Sequence, residues 1–224
     1  MHPTLGVVML DTRFPRPRGD IGCAATFAFP VRFRTVAGAF PRRVVVERDR
    51  SLLEPFIAAA QALEAEGCSA IVTSCGFLAL FQDDMQAAVA VPVWTSSLLL
   101  VAELEATLPH GRRVGVVTAD GKSLTAAHLA AAGAAADTPV EGLAAESAFR
   151  RTLLDNRSEL DAGEAAAATV AAATRLVRRH SGLGAIVLEC TNMPPYADAV
   201  RAATGLPVHD ITTLIAARLA EAAS

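Results

Sequence analysis

Ala185-Ile186-Val187-Leu188-Glu189-Cys190-Thr191-Asn192-Met193-Pro194 reads as a buried strand that runs straight into a polar turn bearing a cysteine. The same pattern occurs earlier as Ala70-Ile71-Val72-Thr73-Ser74-Cys75-Gly76. Each copy follows a glycine three residues upstream of its first alanine, Gly67 and Gly182. The offset of 115 residues between the copies also separates Val91-Pro92-Val93-Trp94 from Leu206-Pro207-Val208-His209. A third match, Gly6-Val7-Val8-Met9-Leu10-Asp11 with Gly115-Val116-Val117-Thr118-Ala119-Asp120, has an offset of 109. Three matches in one order indicate a single α/β unit used twice, with a cysteine at the same place in each half.

The bulk composition narrows the classes. The 224 residues are enough to bury a core, and the 52% hydrophobic fraction, rich in alanine with only 5% aromatics, predicts an aliphatic core with closely packed helices. A net charge of −3 gives no reason to expect nucleic acid. No apolar run is long and bulky enough to span a bilayer. The N-terminus lacks a basic region and a cleavage signature, so a cytoplasmic location is expected, with the four cysteines as reduced thiols. No CxxC pair is present, and no metal or cofactor motif is legible. An exposed apolar face on the alanine-rich helices would fit a homo-oligomer.

Strand and helix signals alternate along the chain. Strands are predicted at 5–10, 31–36, 69–74, 91–94, 113–118, 138–141, 185–189 and 206–208. Helices are predicted at 51–66, 77–89, 96–108, 123–132, 146–154, 161–180, 195–203 and 211–223, the first from a capping box at Ser51-Leu52-Leu53-Glu54. Such alternation implies parallel sheets covered by helices. The expectation is an α/β protein of two similar lobes with parallel sheets flanked by helices, related by a pseudo-twofold duplication, with the active site in the cleft between them. Residues 1–98 form lobe 1, completed by 208–224, and 99–207 form lobe 2. Ligands of such sheets bind beyond the carboxyl ends of the strands, where Asp11, Cys75, Trp94, Asp120, Cys190 and His209 fall.

Two thiols from repeat-related positions suit acid/base work on an acidic C–H. One takes the proton from one face and the other returns one to the opposite face. A following helix N-terminus should lower a thiol's pKa. Cys23 and Cys68 have no such spacing and read as ordinary small core residues.

With these motifs the chain resembles the aspartate/glutamate racemase superfamily, which includes amino acid and hydantoin racemases, maleate isomerases and arylmalonate decarboxylases. The resemblance rests on Ser74-Cys75-Gly76 and on Glu189-Cys190-Thr191-Asn192-Met193-Pro194. It implies Cys75 and Cys190 as the acid/base thiols, Asp11 and Thr12 lining the site, and Thr191 and Asn192 holding a substrate carboxylate or carbonyl. Ser74, Gly76 and Phe77 flank the first thiol, and Gly76 and Phe77 offer backbone donors. The amino acid racemases carry Asp-Ser-Gly after the first strand and Cys-Asn-Thr at the first cysteine, where this chain has Asp11-Thr12-Arg13 and Cys75-Gly76-Phe77. The long loop with Arg13, Arg16 and Arg18 is the expected place for a change of substrate; an arginine there either pairs with a second carboxylate or is solvated. His209 either assists Cys190 or the substrate, or is a structural residue. Glu189 lies in the cleft or points into the sheet, and buried it needs a partner. Asp120 is expected to cap the helix near Ser123.

The expected function is a cofactor-independent racemase or epimerase of a small carboxylate, amino acid or hydantoin-like substrate, with no cofactor and no metal. A cis-trans isomerase or decarboxylase on the same scaffold is the alternative, and a non-catalytic metabolite-binding protein is a further one.

Overall fold

The computed structural model describes residues 3–222. The first two and last two positions, including the expected helix end at Ala223, lie outside the described residues. In chain order the elements are β1 (Leu5–Met9), β2 (Val31–Thr35), α1 (Pro41–Val45), α2 (Leu53–Ala65), β3 (Ala70–Thr73), α3 (Gln82–Ala87), β4 (Val93–Trp94), α4 (Leu100–Thr107), β5 (Arg113–Thr118), α5 (Ala126–Ala131), β6 (Val140–Gly142), α6 (Ala148–Leu154), α7 (Ala162–Arg179), β7 (Leu183–Leu188), α8 (Ala197–Thr204), β8 (Val208–His209) and α9 (Ile211–Ala222).

The strands form two four-stranded parallel sheets of identical order, β2-β1-β3-β4 and β6-β5-β7-β8. The duplication extends to register. Leu5 and Gly6 pair with Ala70 and Ile71, as Val114 and Gly115 pair with Ala185 and Ile186; Ile71 pairs with Val93 as Ile186 pairs with Val208. The N–H of Ser74 donates to the Val8 carbonyl at 2.9 Å, and its repeat mate Glu189 donates to Val117 at 2.8 Å. The matched Gly6 and Gly115 have one cause. Each lets a helix ride close on the first strand of its sheet, Leu63 of α2 in one half and Leu176 of α7 in the other.

The central strands β1, β3, β5 and β7 are apolar and almost wholly buried, as strands covered on both faces must be. The edge strand β2 differs from its alternating pattern, being exposed on both faces, with Phe33 39% exposed. Local capping also departs from expectation. Asp49, not Ser51, caps the turn that leads into α2, accepting the Ser51 N–H at 2.9 Å. The segment after Cys75 begins as a 3-10 helix, Gly76–Phe81, before α3. The short helix α1 was not anticipated; Pro41 at its first position fixes the backbone for entry. Asp120 caps a turn rather than a helix, because α5 starts only at Ala126, where Thr125 and His128 form the capping box.

β8 pairs with β7 in the second sheet, while α9 buries Ile211, Leu214 and Ile215 in the core cluster built around the first sheet. That cluster also takes in Val114, Val116 and Val187 of the second sheet, whose other face packs in a second cluster with Leu176, Ile186 and Leu188. No described helix is long and apolar enough to cross a membrane.

Leu176 is fully buried beneath Gly115. Leu176→Ala should cost about 2–5 kcal/mol, the usual range for a buried leucine truncation, read from the denaturant midpoint.

Candidate functional site

The turns after β3 and β7 meet at the seam between the two halves. Thr191 donates its hydroxyl to the Ser74 carbonyl at 2.6 Å, and Ser97 donates to the Leu188 carbonyl at 2.8 Å. Asn156 closes the same seam from the tip of α6. It accepts the Arg13 N–H at 2.7 Å and donates to the Asp11 carbonyl at 2.9 Å.

Between the halves lies a narrow pocket. Cys75 and Cys190 both open on it, each 9% exposed. Its walls are largely apolar: Leu10, Phe14, Val45, Phe77, Leu153 and Leu154. Of the ten residues expected at the site, eight line this pocket: Cys75, Cys190, Thr12, Ser74, Gly76, Phe77, Thr191 and Asn192. Asp11 and His209 do not. Asp11 is used in loop closure, its carboxylate accepting the Gly38 N–H at 2.9 Å. His209 ends β8 at the edge of the second sheet, beyond β7, beside Arg201 and Asp210.

The two thiols have matching surroundings. Cys75 accepts the Phe77 N–H and Cys190 the Asn192 N–H, positions again 115 residues apart. Asn192 is held by Asp20, to which its amide donates at 2.7 Å, and this turns its carbonyl oxygen toward the Cys190 thiol at 3.6 Å. Thr191 and Ser74 have their polar groups engaged within the protein: Ser74 Oγ accepts the Leu10 N–H at 2.8 Å.

The expected lowering of the thiol pKa does not occur. Burial pushes Cys75 up to about 12, with the Glu189 carboxylate adding to the rise; the Phe77 N–H and Arg16 pull the other way and lose. Cys190 is raised well above its ordinary value by burial, then by Glu189. Desolvation of the charged form outweighs the single backbone donor at each thiol.

Glu189 is the pocket's most unusual group. It is fully buried, Oε2 accepts the Thr118 hydroxyl at 2.6 Å, and Oε1 has no partner. Burial raises its pKa to about 7 against the opposing pull of Thr118. Its chain crosses to the other half and fills the space above Gly76. A Cβ at position 76 would lie 2.6 Å from the Glu189 carbonyl oxygen and closer still to Oε1. Gly76 is therefore the steric consequence of Glu189.

Arg16 is the loop arginine that reaches the pocket. It pairs with Asp20 at 3.0 Å, donates to Thr12 Oγ1 at 2.8 Å, and lies over the Phe14 ring at 4.6 Å, leaving Nε buried without a partner. Arg13 is bound to Asn156, and Arg18 does not line the pocket. Asp20 escaped the sequence reading, as did Asn156 and the α6 leucines. A lone loop acid and a helix tip carry no periodic or motif signal, and their role arises only when the halves close.

A family model described as Asp/Glu/Hydantoin racemase matches residues 33–219. Among curated proteins, a dimethylsulfoniopropionate lyase of Durusdinium sp. clade D is 32% identical over 93% of this chain and 71% of its own length. Dimethylsulfoniopropionate lyase 3 of Emiliania huxleyi is 31% identical over 98% of this chain, which spans only 60% of that relative. Among solved structures, a point mutant of arylmalonate decarboxylase in its sulfate-associated form superposes with a TM-score of 0.66 at 20% identity, over 99% of this chain and 95% of that one. Allantoin racemase from Pseudomonas fluorescens gives 0.61 at 18% identity, over 97% and 89%. At these identities the structural matches speak for the fold.

Because Gly76 faces the carbonyl oxygen as well as the side chain of Glu189, Gly76→Ala should force the two turns apart. A loss of about 1–3 kcal/mol in stability is expected, measured by thermal unfolding, and Glu189→Ala should restore it only in part.

Proposed function

The chain belongs to the Asp/Glu/hydantoin racemase family, and from that premise we propose that it is a lyase acting on dimethylsulfoniopropionate or a close analogue. One thiolate of the Cys75–Cys190 pair takes the proton α to the carboxylate. The C–H electron pair becomes the new α–β double bond. The β carbon–sulfur bond breaks with its pair, releasing dimethyl sulfide and leaving acrylate.

The observation that carries this reading is the pair of repeat-related thiols opening on one small apolar pocket. The likeness to lyases at 32% and 31% identity supports elimination as the outcome of proton removal. The pocket chemistry is compatible. A sulfonium has no N–H to satisfy, and methyl-bearing cations are accepted by apolar and aromatic walls such as Phe14 and Phe77. The unpartnered Nε of Arg16 is a donor for the substrate carboxylate.

Racemisation of a small carbon acid is the second reading, favoured by the equivalence of the two thiols. It needs both thiols, one on each face, whereas elimination needs a single base. Incubation with dimethylsulfoniopropionate, followed by headspace assay of dimethyl sulfide and assay of acrylate, separates the two. Release of both products is expected, and replacing the base, Cys75→Ser or Cys190→Ser, should lower kcat by about a hundredfold or more. Deuterium entering the α position of a chiral amino acid or hydantoin, with no sulfide released, would establish racemisation instead. Full activity in both serine variants would exclude thiol chemistry.

Arg16→Lys keeps the charge and removes the fork. With a hydrogen bond to a charged group contributing about 1.5–3 kcal/mol, kcat/KM should fall about tenfold to a hundredfold, mainly through KM.

A further inference from the structure

Glu189 has no role in the proton transfer just described, yet it is a carboxylate placed at full burial beside the reacting thiols. A buried charge with one empty oxygen is costly unless something compensates it. Among the described residues only the Thr118 hydroxyl does so. Its charge acts on both thiols; the other charged groups acting there are Arg16 on Cys75 and Asp20 on Cys190, with Tyr196 next to Cys190 and Asp20. Arg16 is already paired with Asp20, and Tyr196 is pushed up to about 12. The thiols keep their protons through the neutral range. The pocket therefore carries one unpaired acidic group and no cation to match it.

We propose that Glu189 is the counter-ion for a cationic group on the substrate, making this a pocket for onium carboxylates: the substrate's acid end meets Arg16 and its positive end sits against the Gly76–Glu189 floor. The proposal rests on the function given above, and it narrows the substrate class to zwitterions. It accounts for three features together: the empty Oε1, a glycine at position 76 beneath it, and apolar walls where a cation is to be held. It also links binding to chemistry. The Glu189 charge, which adds to burial in keeping both thiols protonated in the empty site, is offset when a cation arrives, which favours thiolate formation with the substrate in place.

Two ligands of the same shape test it. Dimethylsulfoniopropionate and 4-methylpentanoate differ in having a sulfonium or a neutral CH at the branch point. Isothermal titration calorimetry of each ligand is done in a Cys75→Ser/Cys190→Ser background, which does not turn the sulfonium over, with position 189 either wild type or Glu189→Gln. The protein with Glu189 should prefer the sulfonium. Glu189→Gln should weaken it by about thirtyfold or more and leave 4-methylpentanoate unchanged. Sulfonium affinity with Glu189 present should rise with pH as Glu189 ionises near 7 and then level off, while 4-methylpentanoate shows no such rise. Thr118→Val, which removes a donor favouring the ionised form, should move that rise to higher pH, and it serves if Glu189→Gln does not fold. Equal weakening of both ligands, or no preference with Glu189 present, overturns the proposal. Sulfonium binding that depends on Glu189, with no release of dimethyl sulfide by the protein with both thiols intact, would uphold the counter-ion and overturn the lyase reading.

Discussion

Two strand-end turns, one from each half of a doubled chain, meet where Gly76 of one leaves room for Glu189 of the other, and the pocket depends on that approach. The carbonyl and carboxylate of Glu189 occupy the volume that any residue larger than glycine would need at position 76. The Thr191 hydroxyl and the Ser74 carbonyl fasten the same contact at 2.6 Å. Pull the turns apart and Cys75 and Cys190 no longer share a pocket, whatever their chemistry. The seam matters more to the site than either sheet alone, because each sheet by itself places only one thiol.

Within that seam two effects compete for the state of the thiols. The i+2 backbone N–H groups and Arg16 favour thiolate; burial and the Glu189 carboxylate oppose it. Burial wins, as it does where the donors are few and the surroundings apolar. The resting site is therefore one of protonated sulfur next to a carboxyl group that titrates near neutral pH. A substrate has to change this balance, through its own charge or by excluding water, before a thiolate can act.

Much of this fold can be read from the chain. The 115-residue offset between Cys75 and Cys190 reappears as identical strand pairing, and the Gly6–Gly115 match reappears as two close helix contacts. Periodicity located the buried strands because their apolar runs are continuous. It failed where local chemistry governs: Asp49 displaced Ser51 as the cap, and the segment after Cys75 wound as a 3-10 helix first. Eight expected site residues line the pocket because they sit at strand ends, which topology fixes. Arg16 was legible only as one of three loop arginines, and Asp20, Asn156, Leu153 and Leu154 not at all. Their places depend on how loop and helix tips close over the seam, and no spacing in the sequence encodes that. Asp11 and His209 also stand at strand ends, yet a loop claims one and a sheet edge the other.

Ser74 and Glu189 occupy the same position in the repeat, one step before each cysteine, and make the same strand hydrogen bond. One ends in a short hydroxyl spent on the Leu10 N–H, the other in a long acid that reaches across to the opposite half. A duplicated gene yields a site with interchangeable sides; this divergence, together with Gly76 matched by Thr191 and Phe77 by Asn192, gives it a left and a right. Under the proposed chemistry, a molecule entering the cavity meets two like sulfurs above unlike floors, which gives it one preferred way to lie before any bond is made or broken.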